Sequence, residues 1–227
     1  MIQRIRHVIF DNDGLLLDTE PFYTRAHGAV AARFGKVFDW TVKSRMMGLR
    51  AEDSARVVIE GLGLPLSVPE YLEARQAMLD ELFPQTDPMP GAVRLSRHLH
   101  RHGIPMAVAT SSDRRHFELK ITRHREWFRI FSSVVTGDDP AVGRGKPAPD
   151  IFLLAARTLA AEPQHCLVFE DSPAGVAAAL AAGMYVVAVP DPHMDEAAYG
   201  GAHQVLRSLE GVDLPAWGLP PFPEEKE

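Results

Sequence analysis

Apolar runs that do not alternate punctuate the chain at 7–10 (HVIF), 105–109 (PMAVA), 134–135 (VV), 166–169 (CLVF) and 185–189 (YVVAV), with a weaker one at 203–206. Each is short, and a run apolar at successive positions suits a strand buried on both faces, as in a parallel sheet. Between them lie stretches with helical spacing. Residues 91–101 carry Val93, Leu95 and Leu99 before a stop at Gly103, 149–159 carry Ile151, Phe152, Leu154 and Ala155, and 173–182 begin with proline and end at Gly183. Strands alternating with helices predict a doubly wound, Rossmann-like α/β parallel sheet.

The pattern changes between Thr19 and Pro84. Segments 21–34, 40–47, 52–60 and 69–83 all have helical spacing and no strand-like run interrupts them, which predicts an all-α insertion after the first strand. The return linker, PQTDPMP at 84–90, reads as a semi-rigid hinge. The expected division is a core of 1–18 and 85–227 and a helical unit of 19–84. The tail, 214–227, is proline-rich and then acidic and is expected to pack loosely.

Composition narrows the setting. With 24 basic and 30 acidic residues the net charge is −6, which argues against a nucleic-acid binder. Hydrophobic residues at 46% and charged residues at 24% fit an ordinary globular chain of 227 residues. A single cysteine, Cys166, rules out an internal disulfide framework and fits a reducing compartment; it reads as a small core residue. No run is long and apolar enough for a membrane span, and the segment MIQRIRHVIFDND is too short in apolar residues for a secretory signal, so a cytoplasmic protein is expected. Nothing demands an oligomer, and a monomer is expected.

The chemistry gathers at the strand ends, which is where doubly wound sheets bind ligands. The first run ends in Asp11-Asn12-Asp13-Gly14, and two carboxylates two residues apart can point to the same side. Another ends in Glu170-Asp171. Several carboxylates at one point suit a hard cation such as Mg2+, although Asp-x-Asp by itself reads equally as a turn or a helix cap. Thr110, Ser111 and Ser112 could cradle a phosphate or cap a helix starting at Arg114 with the help of Asp113. Lys146, held by the prolines that follow it in RGKPAPDIF, could neutralise a carboxylate or a phosphate oxygen, or sit in a surface loop.

In this order, DNDGLLLDTE, VATSS, GKPAPDIF and VFEDSPAGV resemble the four motifs of the haloacid dehalogenase-like superfamily, in the subfamily with a helical cap after the first motif. The resemblance runs from Val8 to about Pro190. It implies a Mg2+-dependent phosphatase for a small phosphorylated metabolite, a sugar phosphate or a nucleotide-like ester. Asp11 matches the nucleophile that becomes an aspartyl-phosphate and Asp13 the acid/base. Thr110 and Ser111 match the phosphate cradle and Lys146 the charge-stabilising lysine. Asp11, Asp171 and the backbone carbonyl of Asp13 match the metal site, with Glu170 beside them.

Two other readings share these features. A β-phosphoglucomutase-like phosphoryl-transfer isomerase has a histidine and an arginine where this chain has Tyr23 and Ala51. A non-enzymatic receiver or phosphate-binding domain also clusters acids with a lysine, but is smaller and lacks a cap. Arg50, after a glycine-containing turn, is the candidate for a cap residue reaching the substrate, and reads also as an exposed arginine. The triplet His98, His100 and His102 reads as a solvated helix end rather than a metal site. Met46, Met47 and Met89 read as packing for the insertion and its hinge, and Trp127 and Phe128 as helix anchors.

Overall fold

A computed structural model describes residues 5–223. Six strands, β1 (His7–Phe10), β2 (Met106–Thr110), β3 (Ser133–Thr136), β4 (Cys166–Glu170), β5 (Tyr185–Ala188) and β6 (Gln204–Val205), pair in parallel in the order β3-β2-β1-β4-β5-β6. Because side chains alternate across a strand, Val8 and Phe10 face one core with Val108, Phe169 and Trp127, while Ile9 faces a second with Ala107, Val168 and Phe152. That two-sided burial is why the strands read as unbroken apolar runs rather than alternating ones. The chain leaves β1 to one side and returns to its other side at β4, so the strand order reverses at β1.

Register fixes what meets at that reversal. Phe10 pairs with Val108 on β2 and with Phe169 on β4, so Asp11, one residue on, emerges beside Ala109 and Glu170. Helices α1 (Glu20–Ala32), α2 (Trp40–Met46), α3 (Ala51–Leu62) and α4 (Val68–Leu82) occupy the chain between β1 and β2. Their ends carry the usual signals: Asp39 caps α2, a Ser67–Glu70 capping box opens α4, and Gly63 closes α3 in the left-handed region. They bury Val30, Val42, Val58 and Tyr71 among themselves, and Ala26, Leu79 and Phe83 in a smaller cluster. The remaining helices are α5 (Ala92–Arg101), α6 (Arg114–Lys120), α7 (Arg125–Phe128), α8 (Asp150–Thr158) and α9 (Pro173–Ala181). Met46 and Met47 are buried, Met89 is partly buried, and Cys166 opens β4 fully buried.

Two sequence expectations need correction. The tail does not pack loosely over 214–219: Leu214, Trp217 and Leu219 join the core that faces β1 and β2, because these apolar residues outweigh Pro215 between them. Its acidic end, 224–227, lies outside the described residues. Nor is His98 solvated; the tail covers it, its Nε2 lies 3.0 Å from the Pro220 carbonyl and its ring 4.7 Å from that of Phe222. No helix among the described residues is long and apolar enough to cross a membrane.

Candidate active site

Lys146 sits where three elements converge. Its Nζ donates to Asp11 Oδ1 at 2.5 Å, to Glu170 Oε1 at 2.5 Å and to the Ala109 carbonyl at 3.3 Å. Burial alone would disfavour the ammonium, but the two carboxylates hold its pKa above the ordinary lysine value. Glu170 Oε2 accepts from the backbone N–H and the hydroxyl of Ser172, at 2.9 and 3.0 Å, and that hydroxyl in turn accepts from Gly175 N–H at the start of α9. A Cβ at Gly175 would lie 1.7 Å from Glu170 Oε1, so only glycine lets the helix approach this carboxylate.

Asp171 presses on the other side of the same point. Its Oδ2 would lie 2.4 Å from a Cβ at Gly14, whose φ of +79° already favours glycine. The carboxylate accepts no hydrogen bond among the described residues, yet Asp171 is only 4% exposed. Asp11, Glu170 and Asp171 each bring an oxygen within 4.8 Å of the others. Burial, with the neighbouring carboxylates adding to it, pushes Asp171 well above its ordinary value and Asp11 upward despite Lys146. One ammonium does not balance three buried carboxylates. An all-oxygen set with an unpartnered member fits a hard divalent cation such as Mg2+.

Asp13 points elsewhere. Its carboxylate accepts from Thr110 Oγ1 and Ser112 Oγ, both at 3.0 Å, and from Lys120 Nζ. Burial would raise its pKa, but Lys120 and these hydrogen bonds outweigh burial and hold it below the ordinary value. Lys120 also donates to Tyr23 Oη at 2.8 Å and Ser112 Oγ at 2.6 Å; burial lowers it, but Asp13 and Tyr23 carry it up to about 12. Asp13 therefore joins Asp11 at the end of β1 without its carboxylate joining the trio.

The helical insert covers this point closely. Ser111 Oγ donates to the Gly48 carbonyl at 2.9 Å, and a Cβ at Gly48, where φ is +75°, would lie 2.1 Å from Ser172 Oγ. Between insert and sheet lies a cavity of about 60 Å3, floored by Asp11 and Asp13 and roofed by Tyr23, Leu49, Arg75 and Leu79. Arg50 does not line it. Its guanidinium turns to the loop before Lys146, donating to the carbonyls of Val142 at 3.0 Å and Gly143 at 3.5 Å. This differs from the expectation that it reaches a substrate; as the residue before α3 it is aimed across the interface instead. The sequence does not single out Lys120 or Arg75. Lys120 follows buried Phe117 by three residues and Arg75 follows buried Tyr71 by four, a charge on an apolar helical stripe in each case.

The sequence model of the haloacid dehalogenase-like hydrolases matches residues 5–183. A protein of Arabidopsis thaliana named (DL)-glycerol-3-phosphatase 2 is 51% identical, over 96% of this chain and 93% of its own length. A Drosophila melanogaster protein named probable pseudouridine-5'-phosphatase is 45% identical, over 98% of this chain and 97% of its own. Among solved structures, CbbY from Rhodobacter sphaeroides in complex with phosphate superposes with a TM-score of 0.77 at 26% identity, covering 91% of this chain and 96% of that one.

Proposed function

The chain belongs to the haloacid dehalogenase-like hydrolases, and on that premise we propose that it is a Mg2+-dependent phosphatase acting on a small phosphomonoester through an aspartyl-phosphate. The observation that carries this reading is the buried Lys146 bridging Asp11 and Glu170 at 2.5 Å, with the unpartnered Asp171 beside them. An Asp11 oxygen would attack phosphorus as the ester oxygen leaves. Asp13 would supply the proton to that oxygen and then take one from the water that hydrolyses the acyl phosphate, so the enzyme returns to its starting state. Thr110 and Ser111 would cradle the phosphoryl oxygens, and Lys146 would hold Asp11 in line while offsetting the charge that develops. Asp11, Asp171 and the Asp13 carbonyl, with Glu170 beside them, would hold Mg2+, which supplies charge neutralisation between an anionic nucleophile and an anionic ester.

Residues 19–84 would act as a cap over the core formed by 1–18 and 85–227, excluding water other than the attacking one. Hydrolysis is favoured over a mutase reaction because Tyr23 and Ala51 stand at the two positions that carry the mutase's histidine and arginine. Tyr23 is moreover engaged by Lys120 and Ser112. The substrate is drawn from the phosphorylated small molecules named for the relatives, glycerol 3-phosphate and pseudouridine-5'-phosphate among them. The test is phosphate release across sugar phosphates, polyol phosphates and nucleotides with Mg2+, with and without EDTA. Asp11→Asn should cost about a thousandfold or more in kcat while the thermal unfolding transition is retained. A folded Asp11→Asn protein with most of its activity would refute the nucleophile.

A further inference from the structure

Arg75 is a buried cation without a salt-bridge partner among the described residues; Asp113 acts on it only from a distance. Arg75 lies on α4, is 4% exposed, and has no carboxylate within 4.0 Å among the described residues. Its one hydrogen bond is long, from Nη1 to His27 Nε2 at 3.4 Å. That nitrogen must then be the acceptor, so His27 is neutral, carries its proton on Nδ1 and donates it to Tyr71 Oη. Burial drives the His27 pKa well below the ordinary value, in keeping with the neutral ring. A guanidinium has five N–H donors and no acceptor. At the roof of the cavity, its Nε and Nη2 have no protein partner among the described residues and are not sealed off from it, so they are open to an acceptor there.

We propose that Arg75 is a specificity-determining residue that donates to an oxygen acceptor on the leaving group of a compact phosphomonoester. This rests on the phosphatase reading and names the part of the substrate that the insert selects. Size supports it. The cavity is narrow, about 60 Å3, and Arg75 shares its lining with Asp11 and Asp13, so a small leaving group on a phosphoryl held at Asp11 would meet the guanidinium. The acceptor is either a hydroxyl or a carboxylate of a short chain, since both present oxygen to a guanidinium.

The test compares three phosphomonoesters on the full chain with Mg2+: glycerol 3-phosphate, 3-phosphoglycerate and phenyl phosphate, whose leaving group has no such acceptor beyond the ester oxygen. Arg75→Ala should lower kcat/KM for one or both of the first two by about 10- to 100-fold more than for phenyl phosphate. A greater loss on 3-phosphoglycerate assigns the acceptor as a carboxylate, and a greater loss on glycerol 3-phosphate as a hydroxyl. Arg75→Lys keeps the charge but not the fork and should show the same direction with a smaller ratio, which carries the test if the alanine variant does not fold. Equal losses on all three esters in a folded variant, or none, overturn the assignment and make Arg75 structural. A wild-type chain that releases phosphate from none of the three but does so from a bulkier ester overturns the compact leaving group, and one that releases it from no ester across sugar phosphates, polyol phosphates and nucleotides overturns the phosphatase reading itself.

Discussion

A lysine with no exposure is the feature that organises the second carboxylate. Lys120 is fully buried and gives its ammonium to Asp13, Tyr23 and Ser112. Removing one member of such a pair leaves the other charge buried and uncompensated, which costs more than the pair contributes. Lys120→Met should therefore lower the free energy of unfolding by about 3 kcal/mol. Adding Asp13→Asn should recover part of that loss, because it removes the stranded charge. Denaturant titrations of the single and double variants check this, and additive losses would show that the two groups are not coupled. Asp11, Asp13, Lys146, Glu170 and Asp171 were legible in the sequence because each closes or follows an apolar run or directly precedes the prolines at 147 and 149. Lys120 and Arg75 were not, because a lysine or arginine in a helical stretch is ordinarily solvated and only the tertiary packing of Phe117 and Tyr71 shows these two to be inside.

Elements were legible where local signals are strong. Strand β1 has the limits its apolar run predicts, and the helices of the insert begin and end within a residue or two of their periodic segments. The tail was misread because its prolines spoke for a loop, whereas burial of Leu214, Trp217 and Leu219 depends on a surface far away in sequence. Helices α1 and α4 carry a pH dependence of their own through His27, whose pKa burial lowers far below 6.5. In the unfolded chain this ring gains a proton near pH 6.5, while in the folded chain it stays neutral, so stability falls as the pH drops below that value. Between about pH 7.5 and pH 5.5 the His27 contribution should amount to about 1.4 kcal/mol. Urea titrations at the two pH values should show that increment in the wild type and its absence in His27→Gln. Identical pH dependence in both proteins would contradict it.

Across the whole molecule, insert and sheet meet through side chains, as in Lys120 with Tyr23 and Arg115 with Asp80, and also through backbone carbonyls. Arg50 grips the Val142 and Gly143 carbonyls of the loop leading to Lys146, and the Gly48 carbonyl receives the Ser111 hydroxyl. Loss of Arg50 should loosen closure without touching the leaving group. Arg50→Ala is thus expected to lower kcat/KM by about 3- to 10-fold, to the same extent for phenyl phosphate as for glycerol 3-phosphate. A loss confined to glycerol 3-phosphate would give Arg50 a selective role after all. The two strands of chain that join insert to sheet also lie side by side: Leu17 bridges Pro88, and Asp18 N–H donates to the Asp87 carbonyl at 2.9 Å. Everything between them leaves and re-enters the sheet at nearly one place. Such an arrangement behaves as a cassette. Lengthening, shortening or replacing it costs the sheet little loop-closure entropy and leaves its register undisturbed. Divergence among relatives can then rewrite what the roof selects while the floor, with its carboxylates and lysine, passes unchanged from one enzyme to the next. Grafting the corresponding segment of a relative between Asp18 and Asp87 is the laboratory equivalent of that history.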